Sequence, residues 1–154
     1  MFDRAYVVGA VAALPLLTAY APARAQVPAL LAVCSDPKGR MFETSPARGW
    51  GFDRMKGASL SFTRDRRGQP DVTIRDGVRS YSLRATGAKL TMTHASRDFS
   101  YFIITAVHQH AQVDTFQVTF LPNGQGKLAL MSVRTHTPPK DETRAGLQVA
   151  DCSR

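Results

Sequence analysis

The chain has 154 residues, 20 Lys and Arg against 12 Asp and Glu, and a net charge of +8. Its length sets one domain with one core as the expectation, and 44% hydrophobic residues exclude a disordered polyelectrolyte. Two cysteines exclude a disulfide-dense scaffold and leave a single possible pairing.

Residues 1–25 have the layout of a cleavable secretory signal peptide: Met1-Phe2-Asp3-Arg4, the apolar run Ala5 to Leu17, then Ala23-Arg24-Ala25 before Gln26. That run is about 13 residues long and contains Gly9 and Pro15, against the roughly 20 apolar residues of a spanning helix. The expected product is therefore residues 26–154, a single soluble β-rich domain, periplasmic or secreted, with no transmembrane segment. Loss of Arg4, Arg24 and Asp3 leaves 18 basic and 11 acidic residues, a charge of +7.

A second processing signal competes with the first. Leu31-Ala32-Val33-Cys34 resembles a bacterial lipoprotein box, in which the cysteine is lipidated, but Val33 stands where such boxes carry a small residue. Lipidation would also strand Cys152. In an oxidising compartment the expected bond is Cys34–Cys152, closing a loop of 118 residues.

Residues 26–57 carry little pattern. Val27 to Val33 fits a short helix or a strand, and Asp36 to Gly57 reads as loop, with Met41-Phe42 as a possible short strand. The one tryptophan, Trp50, lies in Gly49-Trp50-Gly51 and is expected to plug the core. Lipocalins carry a Gly-x-Trp near the start of an eight-stranded barrel; the spacing here departs from it, so the likeness is to their architecture alone.

From Ala58 onward apolar residues recur with period two and the breaks fall at turn chemistry, the signature of an antiparallel meander. Leu60 and Phe62 mark a first strand, and Asp65 to Pro70 is a polar loop. Val72 and Ile74 mark a second strand, ended by the hairpin signal Asp76-Gly77. Val78 to Ala85 is a third, turned by Thr86-Gly87 into Lys89 to His94, which sets Leu83 against Leu90, Tyr81 against Met92 and Arg84 against Lys89. Phe99 to Val107, apolar on both faces, belongs in the middle of a sheet or under cover on both sides. Gln112 to Leu121, the hairpin dipeptide Asn123-Gly124, Lys127 to Arg134, a proline loop at Thr137 to Glu142, and Leu147 to Cys152 complete about eight strands. The expected fold is an all-β, up-and-down meander forming a closed or partly closed barrel, with the disulfide clasping its first and last segments.

Three groups of residues bear on function. His108 and His110 share one face of an extended segment, and counting back from Asn123-Gly124 sets His136 against Ala111, so these three histidines form a weak candidate metal site with Asp114 the nearest acid. Arg64, Arg66, Arg67, Arg75, Arg84 and Lys89 form a candidate anion-binding face. Stacking aromatics are absent from that face, so no nucleic-acid partner is expected. No Gly-x-Ser-x-Gly elbow, paired catalytic carboxylates or poised cysteine is evident, and a non-enzymatic protein without cofactor is expected.

The composite expectation is a basic binding or interaction protein of the cell envelope. Its ligand is a small apolar molecule in the barrel or an anionic envelope component on the Arg-rich face. A hydrolase inhibitor acting through loops and a periplasmic metal carrier using His108, His110 and His136 are the alternatives.

Overall fold

The computed structural model describes residues 27–44, 49–109, 111–135 and 143–154. Among them are ten strands and no helix: β1 (Ala29–Glu43), β2 (Gly49–Arg54), β3 (Ala58–Arg64), β4 (Pro70–Asp76), β5 (Arg79–Ser82), β6 (Lys89–Ala95), β7 (Tyr101–Val107), β8 (Gln112–Phe120), β9 (Gly126–Thr135) and β10 (Thr143–Ser153). They form one antiparallel sheet in the order β5-β4-β3-β1-β10-β9-β8-β7-β6, with β2 added on β1, and the sheet curls into a half-barrel.

The curl follows from the alternation. Inward positions on β3, β4, β7, β8 and β9 are apolar and buried, and Leu60, Phe62, Val72, Phe102, Ile104 and Val118 have no exposed surface. Phe62 on β3 meets Phe102 on β7 edge-on with ring centroids 5.7 Å apart and Phe116 on β8 at 5.6 Å. Strands far apart along the sheet path thus face one another, and packed side chains join the two halves where no ladder does.

β1 is the element least expected from the sequence. It runs 15 residues through Asp36 and Pro37, where the β10 register shifts between Ser35 and Lys38 and Asp36 has φ 49°. Its first half pairs β3 and its second half pairs β2, while β10 lies along the other side. The segment Asp36 to Gly57 is therefore mostly strand rather than loop. The bulge and Pro37 hide the alternation, since a proline cannot donate to a ladder and signals a break. The central clasp is present as expected: Cys34 and Cys152 are paired across β1 and β10 and form a disulfide. Cys34 is fully buried in mid-strand, which does not suit a lipidated N-terminus.

Two registers depart from expectation. The Thr86-Gly87 hairpin does not form, since β5 pairs only β4 and β6 pairs only β7, leaving both as sheet edges. The pairs Leu83–Leu90, Tyr81–Met92 and Arg84–Lys89 are accordingly absent. Residues 83–87 coil tightly instead: Leu83 turns into the core, its amide donates to the Val72 carbonyl at 2.9 Å, and Ala88 N donates back to Leu83 O at 3.0 Å. Asp71 fixes the coil by accepting from Ser82 Oγ at 2.6 Å and Arg84 N at 3.3 Å. Burying Leu83 and satisfying these amides outweighs a fourth hairpin.

The β8–β9 hairpin forms, but one residue out of the counted register, with Gln112 against Arg134 rather than Val113. Leu121 N donates to Gln125 O at 2.8 Å and Gly124 N to Leu121 O at 2.9 Å, with Gly124 at φ 81°. This is a three-residue loop, Pro122-Asn123-Gly124, because proline suits the second position of a type I turn and glycine the left-handed position after it. β7 also starts later than expected, at Tyr101, since Phe99 sits at φ 55° in a turn. The turn is tied by Asp98, whose carboxyl is held down at about 2 by the Ser100 amide first and then by the Ser100 and Ser96 hydroxyls. β7 lies between β6 and β8 as expected of an interior strand, but only its Phe102, Ile104 and Ala106 face is fully buried.

Candidate functional site

Toward the end of the half-barrel where β8 begins and β9 ends, here called its mouth, lies a cleft of about 220 Å³. Met55, Ile74, Phe116 and Leu130 form an apolar floor. Over it converge polar groups from β2 (Asp53), β5 (Tyr81), β8 (Gln112, Asp114), β9 (Ser132) and β10 (Gln148).

Asp114, Ser132 and Gln148 occupy inward positions of strands whose inward residues further along, such as Phe116, Leu128 and Ala150, are apolar and buried. Asp114 follows the parity of Phe116, Val118 and Phe120 and is 7% exposed. A carboxylate so placed must be hydrogen-bonded to avoid a cost of several kcal/mol. Asp114 accepts from Ser132 Oγ at 2.5 Å and from Gln112 Nε2 at 3.0 and 3.1 Å, and lies 2.8 Å from His108 Nε2. The carboxylate stands between hydroxyl and imidazole. In a serine-nucleophile triad the imidazole stands in the middle to take the hydroxyl proton; here Ser132 donates to Asp114 instead.

On the other wall Gln148, 5% exposed, donates Nε2 to Asp53 Oδ2 at 2.6 Å. Asp53 and Gln148 sit on β2 and β10, both registered against Gly39 of the intervening β1. They meet across Gly39, where β10 comes so close that an added Cβ would run into the Leu147 carbonyl oxygen. With Nε2 committed to Asp53, the amide orientation is fixed, and Gln148 Oε1 is left buried without a hydrogen-bond partner. One row nearer the strand ends, Arg144 pairs with the buried Glu43 and Arg134 lies beside Gln112, and neither lines the cleft.

Tyr81 stands at the rim, 37% exposed. Burial first, and then the nearby charges of Asp76 and Asp114, push its phenol above the ordinary value near 10. The raised value means the neutral phenol is favoured in the folded state. Its contribution to stability is therefore complete below pH 10 and is lost as pH rises through the raised value. In a phenolate absorbance titration of the folded chain, Tyr81→Phe should remove a component that ionises later than an ordinary tyrosine. Equal early ionisation of every tyrosine in the parent chain would contradict the assignment.

No family model, no curated protein and no solved structure matches this chain. The site rests on its own geometry.

Of the expected anion-binding residues, Arg64, Arg66, Arg67 and Arg84 gather about the Asp65–Gln69 loop, while Arg75 and Lys89 stand apart from it. Arg64 lies over the Phe99 ring, 4.5 Å from its centroid. Arg66 and Arg67 are exposed in the Asp65–Gln69 loop, which with Arg64 borders a separate cavity beside Val27 and Pro28. Arg84 is 3.4 Å from Asp65 Oδ2. The Gln69 amide first, then the Arg67 amide and Arg84, hold the Asp65 carboxyl below its usual range, so Arg84 already has an anion. Arg75 points outward from β4, and Lys89 from the far edge strand β6. Of the histidines, His108 is committed to Asp114, and His94 stacks at a tilt on Tyr101 with centroids 5.4 Å apart. His110 and His136 lie outside the described residues. Among the described residues no three His, Cys, Asp or Glu side chains gather to hold a metal ion.

Asp114 and His108 were visible in the sequence as neighbours of a candidate site. Asp53, Tyr81, Gln112, Ser132 and Gln148 were not singled out. The available signal was parity: Asp114 and Gln148 fall at inward positions of β8 and β10 that continue into the buried apolar residues Phe116 and Val118 on β8 and Ala150 and Cys152 on β10.

Proposed function

We propose that this chain is an exported binding protein whose barrel mouth takes a small molecule with an apolar body and a cationic or multiply hydrogen-donating head. The observation that carries this is Gln148 Oε1, a buried acceptor without partner in a cleft that the carboxylates of Asp53 and Asp114 also line. Unspent acceptors call for donors, because a buried polar group left unpaired costs about 1–3 kcal/mol. The floor of Met55, Ile74, Phe116 and Leu130 suits the apolar body. At about 220 Å³ the cleft is smaller than the 300–1,000 Å³ of drug-sized sites, so the ligand is a small one.

Export is part of the reading. The leader pattern of residues 1–25 supports it, and so does the Cys34–Cys152 bond, a kind of link that persists in oxidising compartments.

Calorimetric titration with phenethylamine and with phenylacetate tests the head-group chemistry at nearly constant shape. The amine should bind and the acid should not. Gln148→Leu or Asp114→Asn should weaken amine binding about tenfold or more, the effect of losing a hydrogen bond to a charged group. Equal binding of the two compounds, or no binding of amine at millimolar concentration, would overturn the proposal.

A further inference from the structure

On the opposite side of the sheet from the cleft, the outward positions form a face that the mouth does not use. The register places Trp50, Phe42, Ala145, Val133, Val113 and Val107 side by side across β2, β1, β10, β9, β8 and β7. The next row runs Phe52, Arg40, Leu147 and Met131, and the row beyond it begins Arg54, Lys38 and Val149. Trp50 is 69% exposed and Phe52 76%, and Met131, Val133, Leu147 and Val149 are exposed as well. Trp50 therefore does not plug the core. It leans on Phe42, ring centroids 5.2 Å apart, on the outer surface.

Exposed apolar area that is contiguous rather than scattered marks an interaction surface. Its charge selects the occupant. Lys38, Arg40 and Arg54 lie within these rows, Lys89 stands beside Val107 at the end of the first, and the rows named hold no carboxylate. Asp151 is beyond them, and Lys127 occupies it. A second copy stacked on the same face would set Arg40 and its neighbours against like charges, and the acids nearest these rows among the described residues, Asp36 and Asp151, lie at their far edge beside Lys38 and Arg54. An anionic bilayer surface meets both features, since Trp rings favour the membrane–water interface and Lys and Arg near it are each worth about 1 kcal/mol against acidic lipid.

We propose that this outer face docks the protein on an anionic phospholipid surface, with Trp50 and Phe52 entering the interface and Lys38, Arg40 and Arg54 facing the headgroups. The cleft opens on the other side of the same sheet and plays no part, so the two proposals stand or fall separately.

Trp50 is the only tryptophan in the chain, which makes its fluorescence a direct reporter. With vesicles of phosphatidylglycerol and phosphatidylcholine its emission should shift to the blue and be quenched by brominated acyl chains, while pure phosphatidylcholine should give a much smaller response. The double variant F52S/L147S, checked for native near-ultraviolet circular dichroism, should bind the anionic vesicles about tenfold more weakly or worse. K38E/R40E/R54E should lose the preference for acidic lipid. Absence of quenching, unchanged vesicle binding by natively folded F52S/L147S, or a blue shift that grows with protein concentration in the absence of lipid would overturn the proposal; the last would make the occupant a second copy.

Discussion

Phe62→Ala should destabilise the fold by about 3–5 kcal/mol, the usual cost of removing a buried aromatic and leaving its cavity. The position is severe for a topological reason. Phe62 is fully buried and its ring touches both Phe102 and Phe116, so it joins β3 to β7 and β8 where no backbone ladder does. A domain of this size has about 5–15 kcal/mol of stability in total, and the variant should unfold at markedly lower urea or remain partly open at the mouth. Urea unfolding monitored by circular dichroism measures the loss. A change below about 1 kcal/mol would mean that the two halves of the sheet are held by something other than this aromatic cluster.

Opening the Cys34–Cys152 bond should have an effect of similar size through a different state. The two residues are directly paired on β1 and β10, which are also joined along their length by a backbone ladder. The gain arises mainly in the unfolded chain, where a link across 118 residues removes loop entropy worth about 4–5 kcal/mol in the chain-entropy model. Reduction, or the paired substitution Cys34→Ala with Cys152→Ala, should therefore lower the urea midpoint strongly while leaving the native spectrum unchanged. A midpoint that does not move would show that the unfolded chain is already compact enough to lose little by closure.

These two expectations bear on the site. The cleft draws its walls from β2, β5, β8, β9 and β10, which come together only because the sheet curls. Loosening the Phe62 cluster should widen the mouth, and the small-amine binding proposed for it should weaken before global unfolding is complete.

How much was legible beforehand follows from which interactions are local. Alternation in Leu60-Phe62, Val72-Ile74 and Phe116-Val118-Phe120 is written into the chain, because each strand must present one face to a core. The cysteine pairing was equally legible, there being one possible partner for each. Register was less so: Pro122 converted an apparent two-residue hairpin at Asn123-Gly124 into a three-residue one, and a one-residue slip changes every cross-strand partner.

By itself, then, the sequence determined an all-β meander with its inward apolar positions and its single cross-link, since periodicity, turn residues and two cysteines act at short range or by elimination. Only the tertiary structure decided the rest. That β1 continues through Pro37, that residues 83–87 leave a seam instead of a hairpin, and that Trp50 faces outward depend on which distant strands lie alongside. The meeting of Asp53 and Gln148 over Gly39 is the clearest case: residues 95 positions apart form a hydrogen bond across a strand that only the tertiary pairing sets between them. No local pattern encodes that.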